Sequence, residues 1–599
     1  MKNLVVLDCE VYPNYTLFAF KNVDNKKIIT LEIKGEDSSL DIDDLKRLLL
    51  IMKRRTTLGF NSRNYDMCII LAALKQKTAK EIYNLSKFII EGNSVGWQTM
   101  QKFNLIPLQG IKHFDIQEVA PGVKVSLKLY GARLNSLTLK DLPIEPGTIL
   151  SDEDCENIKK YCINDLDTTI DLFNSIKERV QLRFDMSEEY KEDLLSKSDA
   201  QIAESVIKSQ LRKKAPYVDL RAPKILPNTT FKYKAPKYIK FKTAELQDLL
   251  EKINNCNFGL DEKGSVKLPD EIKKTKIELG NSKYQLGIGG LHSNEKKKVT
   301  LCKKSQILAD RDVASYYPNI ILNLNLYPRH LGEQFLKVYD DIVKKRLKAK
   351  EERNKIVNES LKIVINGSFG KLGNKYSCLY SPDLMIAVTL TGQLALLMLI
   401  EELELKGISV ISANTDGFVS LMEKDKYELY DSVCFKWELL TGFDLEETRY
   451  CALYSRDVNN YLAITNEGKT KGKGIFTLES ISKNPAADIC IEAVVNYLQK
   501  GKEIQKYIYE CKDLTKFLTV RSVTGGAVWK EEYLGRVVRW IYSTNGDVIK
   551  YKKNGNKVPK SDGSRPIMTL GEFPSDINYP RYIEESISIL ESLGINYAN

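Results

Sequence analysis

Histidine is nearly absent from this chain: three residues in 599, at positions 113, 292 and 330. With so few imidazoles, a His-based metal site is not expected. His113, His292 and His330 are expected to be isolated core or surface residues. The 11 cysteines stand singly, with no Cys-x-x-Cys pair. That pattern argues against a zinc ribbon or a disulfide framework and fits a reducing compartment. No uninterrupted apolar run of about 18 residues is read, so no membrane span is expected. The opening Met-Lys-Asn-Leu-Val-Val-Leu is too short for a secretion signal, and a cytoplasmic location is the expectation. Internal repeats and low-complexity tracts are also lacking.

What is present is length and a mild basic excess. At 599 residues the chain has room for several cores, roughly four domains of about 150 residues. The composition is 43% apolar and 28% charged, with net charge +11 and pI near 8.8. That balance suits a polyanion partner without proving one. Strand-like runs at 4–8, 15–20 and 28–33 alternate with helical patterns at 42–53, 79–90 and 152–178. The last helix opens on Ser151 with Asp154 three residues on, a capping box. Residues 1–190 therefore read as an α/β domain. Residues 191–280 read as a connector, Lys- and Pro-rich over 213–245, and Gly287-Ile288-Gly289-Gly290 reads as a turn before the next domain.

From about residue 306 acidic and basic features alternate. A strand-like run at 306–309 leads to Asp312, and a strand at 408–412 leads to Asn414-Thr415-Asp416-Gly417. Between them lie a basic helix at 335–357, a second helix from 361 and a long apolar helix at 382–406. A mostly helical stretch is expected at 485–518. Alone, an Asp after a strand is a turn residue, and a basic helix is a solvated face. Together they make chemical sense. Two carboxylates can share divalent cations. Arg346 and Lys350, and likewise Lys362 and Asn366, are one helical turn apart and can meet a polyphosphate. Phe369 continues the second helix face.

A second acidic set lies near the N-terminus. Asp8 and Glu10 are two apart on a strand and share a face. Asp66 ends the segment Asn61-Ser62-Arg63-Asn64-Tyr65-Asp66, and Tyr161 and Asp165 are one turn apart on the capped helix. Four carboxylates and a tyrosine can hold two cations and orient a water. Asp115 and Asp167 are expected to be structural or capping residues.

In this order, Asp312-Val313-Ala314-Ser315-Tyr316-Tyr317-Pro318, Lys362 to Gly370 and Asn414 to Gly417 resemble the A, B and C motifs of B-family DNA polymerases. The N-terminal set resembles the three motifs of proofreading 3′→5′ exonucleases. The resemblance implies an α/β and α+β multidomain protein of compact phage type: an RNase H-like exonuclease domain (1–190) and a connector (191–280), then a right-hand polymerase. The hand would comprise palm (281–340 and 376–475), fingers (341–375), and thumb with C-terminal region (476–599). It implies Asp312, Asp416 and the Val313 carbonyl as metal ligands, with Asp8, Glu10, Asp66 and Asp165 as a second set and Tyr161 as their water-orienting partner. It implies Tyr317 as a steric gate favouring deoxynucleotides, with Arg346, Lys350, Lys362, Asn366 and Phe369 around the nucleotide. Asn61, Tyr65, Gly289, Gly290, Tyr461 and Lys473 would contact DNA. Implied cofactors are Mg2+ pairs, with Mn2+ as substitute. Implied partners are primer-template DNA, a single-stranded 3′ end, deoxynucleoside triphosphates and unidentified accessory proteins, around a monomer in the host cytoplasm.

The sequence departs from the family pattern at several points. Tyr316 stands for the usual Leu, Gly367 and Phe369 for Ser and Tyr, and Asn414-Thr415-Asp416-Gly417 for Asp-Thr-Asp-Ser. Asn460-Tyr461 lacks an expected Lys. Between Pro318 and Lys362 lie 43 residues, and 43 more between Gly370 and Asn414. Those short gaps lack the inserts of protein-primed relatives, so extension from a nucleic-acid 3′ end with modest strand displacement is expected. The rivals are a stand-alone exonuclease with a decayed polymerase half, for which Asn414 speaks, and a non-catalytic DNA-gripping protein.

Overall fold

The structure, a computed structural model, describes residues 3–122, 125–478 and 481–597. The chain is a mixed α/β, multidomain protein. It divides into two compact units: Met1–Ser198, Glu479–Ile489 and Ile508–Tyr582 form the first, and Asp199–Leu478, Cys490–Tyr507 and Ile583–Asn599 the second.

The first unit is built on Leu4–Tyr12 (β1), Tyr15–Asn22 (β2), Ile28–Lys34 (β3), Thr56–Gly59 (β4) and Lys112–Asp115 (β5), in sheet order β3-β2-β1-β4-β5. β1 runs antiparallel to β2 and parallel to β4. β1 is a near-continuous apolar run because both its faces are covered. Val5, Leu7, Cys9 and Val11 enter one core with Ile42–Arg54 (α1), Asp66–Leu74 (α2) and Ala79–Gly92 (α3). Leu4, Val6 and Tyr12 enter the other, which holds Leu127–Arg133 (α5) and Asp152–Ser175 (α6). Gly96–Lys102 (α4) and Lys177–Tyr190 (α7) complete this part. By the same two-residue period Asp8 and Glu10 face α6. The expected capping box opens α6: Asp154 N donates to Ser151 Oγ at 3.2 Å, and Ser151 N to Asp154 Oδ2 at 2.9 Å.

In the second unit the expected connector holds regular structure. Asp199–Lys214 (α8) buries Ile202, Ala203, Val206, Ile207 and Leu211 and packs on the later helix Lys355–Leu372. Its apolar residues recur at helical spacing, which the Lys- and Pro-rich stretch after it obscured. Thr230–Lys232 (β6), Asn257–Leu260 (β7) and Val266–Lys267 (β8) form a small sheet, with Ala244–Asn255 (α9) and Asp270–Lys273 (α10) beside them in sequence.

The main sheet of this unit contains Ile277–Leu279 (β9), Ser282–Leu286 (β10), Leu291–Ser293 (β11), Lys296–Leu301 (β12), Gln306–Val313 (β13), Ser409–Asn414 (β14), Gly417–Glu423 (β15), Leu445–Asp457 (β16), Asn460–Thr465 (β17) and Thr470–Lys473 (β18). Its order is β18-β17-β16-β13-β15-β14-β11-β10-β9, with β12 on β16. Central β13 places Asp312 opposite Gly417 on one side and Glu446 on the other. The helices are Tyr316–Asn323 (α11), Gln334–Glu351 (α12), Lys355–Leu372 (α13), Pro382–Leu405 (α14) and Tyr427–Thr441 (α15). By length and composition α14 is apolar enough to cross a membrane. Here 83% of its apolar window is buried inside the protein, including Thr389, Thr391 and Gln393, whose polarity interrupts the run in the sequence.

Residues 476–599 are shared between both units, and the part after 518 is largely sheet. Thr519–Trp529 (β19), Glu532–Asp547 (β20), Lys550–Tyr551 (β21) and Ser564–Pro566 (β22) pair in the order β21-β19-β20-β22 within the first unit. Val520 and Val537 pack against Ala132 and Leu139 at and after α5. Fully buried Arg539 donates to the carbonyls of Ser136 and Ile567 at 3.0 and 2.8 Å. These contacts over long sequence separation, invisible to local pattern, hold the sheet in the first unit.

Candidate active sites

In the second unit, β13 and the β14–β15 hairpin bring Asp312 and Asp416 together. Val313 N donates to the Asp416 carbonyl at 2.7 Å, and Thr415 takes a left-handed conformation, φ 65°, to make the turn. The turn is backed by Gly290, φ 149°. A Cβ there would lie 2.9 Å from Thr415 Cα, so the glycine is needed for the loop to close on the hairpin. Gly417 carries the same logic on the other side, since a Cβ would overlap the Asp312 carboxylate. Both carboxyls are raised by burial and like charge, Asp312 to about 6. Asp310 adds to that charge.

Above this pair lies a cavity of about 400 Å3 lined by Val313, Tyr317, Arg346, Asn366, Phe369 and Asp416, among others. Tyr317 stacks obliquely on Phe369, centroids 4.4 Å apart, and its hydroxyl donates to the Gly289 carbonyl at 2.7 Å. Arg346 donates to Ser315 Oγ at 3.2 Å, and its buried Nε is without a partner. The two predicted lysines do not line this cavity. Lys350 is exposed, 3.5 Å from Glu446, and Lys362 is exposed with no ion pair among the described residues. One helical turn beyond Arg346, α12 has left the cavity rim, and Glu446 draws Lys350 outward.

A second cavity, about 360 Å3, includes Asp310, Asp312, Asn414, Asp416, Tyr461 and Lys473 in its lining. Asp310, Tyr450 and Lys471 line it too and were missed in the sequence. Asp310 stands two residues before Asp312 on the same strand face, and that spacing was the available signal. Burial disfavours the Lys471 charge, but Asp310, Tyr450 and Asp312 overcompensate and hold it above the usual lysine range. Burial lowers Lys473.

The departures from family pattern have local reasons. The Tyr316 hydroxyl donates to the Gly392 carbonyl on α14 at 2.5 Å. Gly367 lets α8 approach α13: a Cβ there would lie 2.8 Å from the Asp199 carbonyl oxygen and 2.9 Å from Ala203 Cβ. Asn414 donates through Nδ2 to the Val458 carbonyl at 2.9 Å. A carboxylate has no proton to offer that acceptor.

In the first unit, ligand oxygens of Asp8 and Glu10 gather with Cys162 Sγ within 4.8 Å. Asp66 caps this set from the start of α2, its Oδ1 buried and without a partner. Tyr161 and Asp165 project from α6. Burial, reinforced by neighbouring carboxylates, raises Glu10 to about 8, Asp66 to about 7 and Asp8 well above its usual range. Burial also raises Asp165, to about 6, although the Lys128 charge opposes it. Lys128, missed in the sequence, lies 4.9 Å from the Tyr161 ring centroid and 2.8 Å from Asp141. A buried group of oxygen donors, one of them orphaned, in which burial and like charge outweigh the nearby lysine, is a donor set for hard divalent cations.

Asp115 is structural as expected: it accepts from Asn61 N at 2.9 Å and Arg63 N at 3.1 Å, fixing the loop that carries Asp66. Tyr65 is hydrogen-bonded to Ser86 Oγ at 2.8 Å. Asp167 pairs with Lys21 at 2.5 Å. His113, pushed down to about 3 by burial, is held between Thr57 and Ser62.

No protein-family model matches the chain. A curated relative, DNA polymerase 1 of Aeropyrum pernix, is 27% identical over 162 residues, 26% of this chain and 17% of that protein. This match agrees with the resemblance at the level of a DNA polymerase. The match spans less than a fifth of the relative's length. Among solved structures, the family B DNA polymerase from the hyperthermophilic archaeon Pyrobaculum calidifontis aligns loosely, with TM-score 0.41 and 14% identity over 99% of this chain and 77% of that chain.

Proposed function

We propose that the chain is a template-directed DNA polymerase that extends a primer 3′ end with deoxynucleotides, and that its first unit is a 3′→5′ proofreading exonuclease. The observation that carries the polymerase reading is the cavity that joins Tyr317, Arg346, Asn366 and Phe369 to Asp416. An aromatic wall, an orphaned guanidinium N–H and a carboxylate are the recognition elements for a base, a phosphate chain and its metal. Asp312 and Asp416, with the Val313 carbonyl, would hold Mg2+ or Mn2+. When bound, such ions activate a 3′-hydroxyl and stabilise the departing pyrophosphate.

The chain's own residues do the rest. Arg346 orients the triphosphate, and Phe369 packs on the incoming base pair. Tyr317, pinned by its bond to Gly289, presents its ring where a ribose 2′-hydroxyl would collide. Lys473 and Tyr461 face the primer side. In the first unit, Asp8, Glu10, Asp66 and Asp165 would hold the cations for hydrolysis, in which water attacks the terminal phosphodiester and a deoxynucleoside monophosphate leaves. Tyr161 orients that water, and the Asn61–Tyr65 segment guides the single strand.

A phage origin, action as a monomer in the host cytoplasm, and accessory partners belong to the same proposal. The nuclease-only reading rests on Asn414, whose hydrogen bond to Val458 gives it a structural reason unrelated to decay. A 5′-labelled primer-template with Mg2+, with and without deoxynucleotides, tests the proposal. Lengthening of the primer supports it, and shortening alone would favour the nuclease.

A further inference from the structure

Asp310 lies two residues before Asp312 on β13, on the same face, and is 6% exposed. Arg311 between them turns to the other face and pairs with Glu447 at 2.8 Å. The Asp310 carboxylate accepts from the Tyr450 hydroxyl and pairs with Lys471 Nζ at 3.1 Å. The same ammonium stands 3.5 Å from Asp312 Oδ2. β18 fixes the backbone of this lysine by pairing with β17, with Lys471 opposite Ala463 and Lys473 opposite Tyr461.

Lys471 is thus shared between a buried carboxylate and one that opens to the cavity. A divalent cation arriving at Asp312 meets a positive charge already in contact with it, and at such separations like charges repel strongly. The ammonium has to yield Asp312, and Asp310 is the group that can keep it.

We propose that Asp310 is a positioning residue of the polymerase site: with Tyr450 it retains Lys471, so that Asp312 can exchange the ammonium for a divalent cation. This rests on the polymerase reading above and deepens it. It also gives a role to a buried acid in a site whose Asn414 brings no charge. Without Asp310, the lysine has Asp312 as its remaining carboxylate partner and competes with the metal there.

Mn2+ is the probe, read by electron paramagnetic resonance of the free ion. The full-length chain carries Asp8→Ala and Asp66→Ala to silence the first-unit cluster, and melting curves verify folding. Asp310→Asn should weaken Mn2+ binding roughly tenfold, in line with groups that orient metal ligands. Lys471→Met should abolish that effect, so that the Asp310→Asn/Lys471→Met protein binds as tightly as Lys471→Met alone. Tyr450→Phe should weaken binding less, again only when Lys471 is present, and it serves if Asp310→Asn fails to fold. Equal weakening with and without Lys471 would make Asp310 a ligand or a bare charge and overturn the inference, as would no weakening at all. If Asp312→Ala binds Mn2+ as tightly as its parent, the polymerase-site reading falls and the inference with it. If Asp312→Ala loses binding but Asp310→Asn does not, only the inference falls.

Discussion

At the scale of single residues, the acidic clusters are costly to hold and therefore informative. Glu10 and Asp66 have ordinary carboxyl values of 4.5 and 3.8, and in the fold they rise to about 8 and 7. A raised value means that the folded protein binds the proton more tightly than the unfolded chain does. Stability is then full below the ordinary values and is lost as pH climbs through the raised ones. In chelator, the transition of the first unit is expected to move to lower temperature between about pH 5 and about pH 8.5. Asp66→Asn should flatten that slope and raise melting near pH 8 by about 2–4 °C, the shift that about 1 kcal/mol gives in a unit of this size. Added Mg2+ should restore the wild type at high pH and do little for the variant. Differential scanning calorimetry reads all of this, and a wild-type profile flat in chelator would refute the electrostatic account of the cluster. The acids themselves were legible from sequence because spacing on a strand or helix face fixes where they point. Lys128 and Lys471 were not, because each reaches its cluster from another element through tertiary packing, and Cys162 was not, although it neighbours Tyr161 on α6.

Among the secondary-structure elements, glycine decides how closely the site-bearing pieces approach. Gly367 on α13 faces the Asp199 carbonyl and Ala203 of α8. Gly367→Ser, the residue the family commonly has, should push α8 away and destabilise the protein by about 1–3 kcal/mol, as overpacking does. Denaturant unfolding measures the loss, and full stability in the variant would show that the contact is loose. Gly290→Ala should act on function, because its Cβ would meet backbone of the turn that carries Asp416. The expected result is a fall in extension rate of about tenfold or more with the exonuclease unaffected, measured in single-turnover assays. Periodicity and caps gave α1, α3 and α6 almost residue for residue, and the A and C motifs on β13 and the β14–β15 turn. α8 was hidden in an assumed connector by its Lys- and Pro-rich neighbours. β19 and β20 pair locally as a hairpin, but their cover by α5 involves residues hundreds of positions apart, which no local window contains.

For the whole molecule, the two acidic sites lie in different compact units, each complete in its own carboxylates. They should therefore be separable. Asp8→Ala with Asp66→Ala should remove shortening of a single-stranded 3′ end and leave extension intact, and Asp416→Ala should do the reverse. The fold class and both acidic sets were readable because strand-end carboxylates and capped helices are local signals. The division of the C-terminal region between the units was not, because it is set by contacts that no local window contains. The most direct measurement is a 5′-labelled primer-template with Mg2+ and deoxynucleotides, run with the wild type and with Asp416→Ala. Extension by the wild type that Asp416→Ala abolishes, with shortening retained, is the predicted result. A wild type that only shortens the primer, or an Asp416→Ala protein that still extends it, would contradict the account.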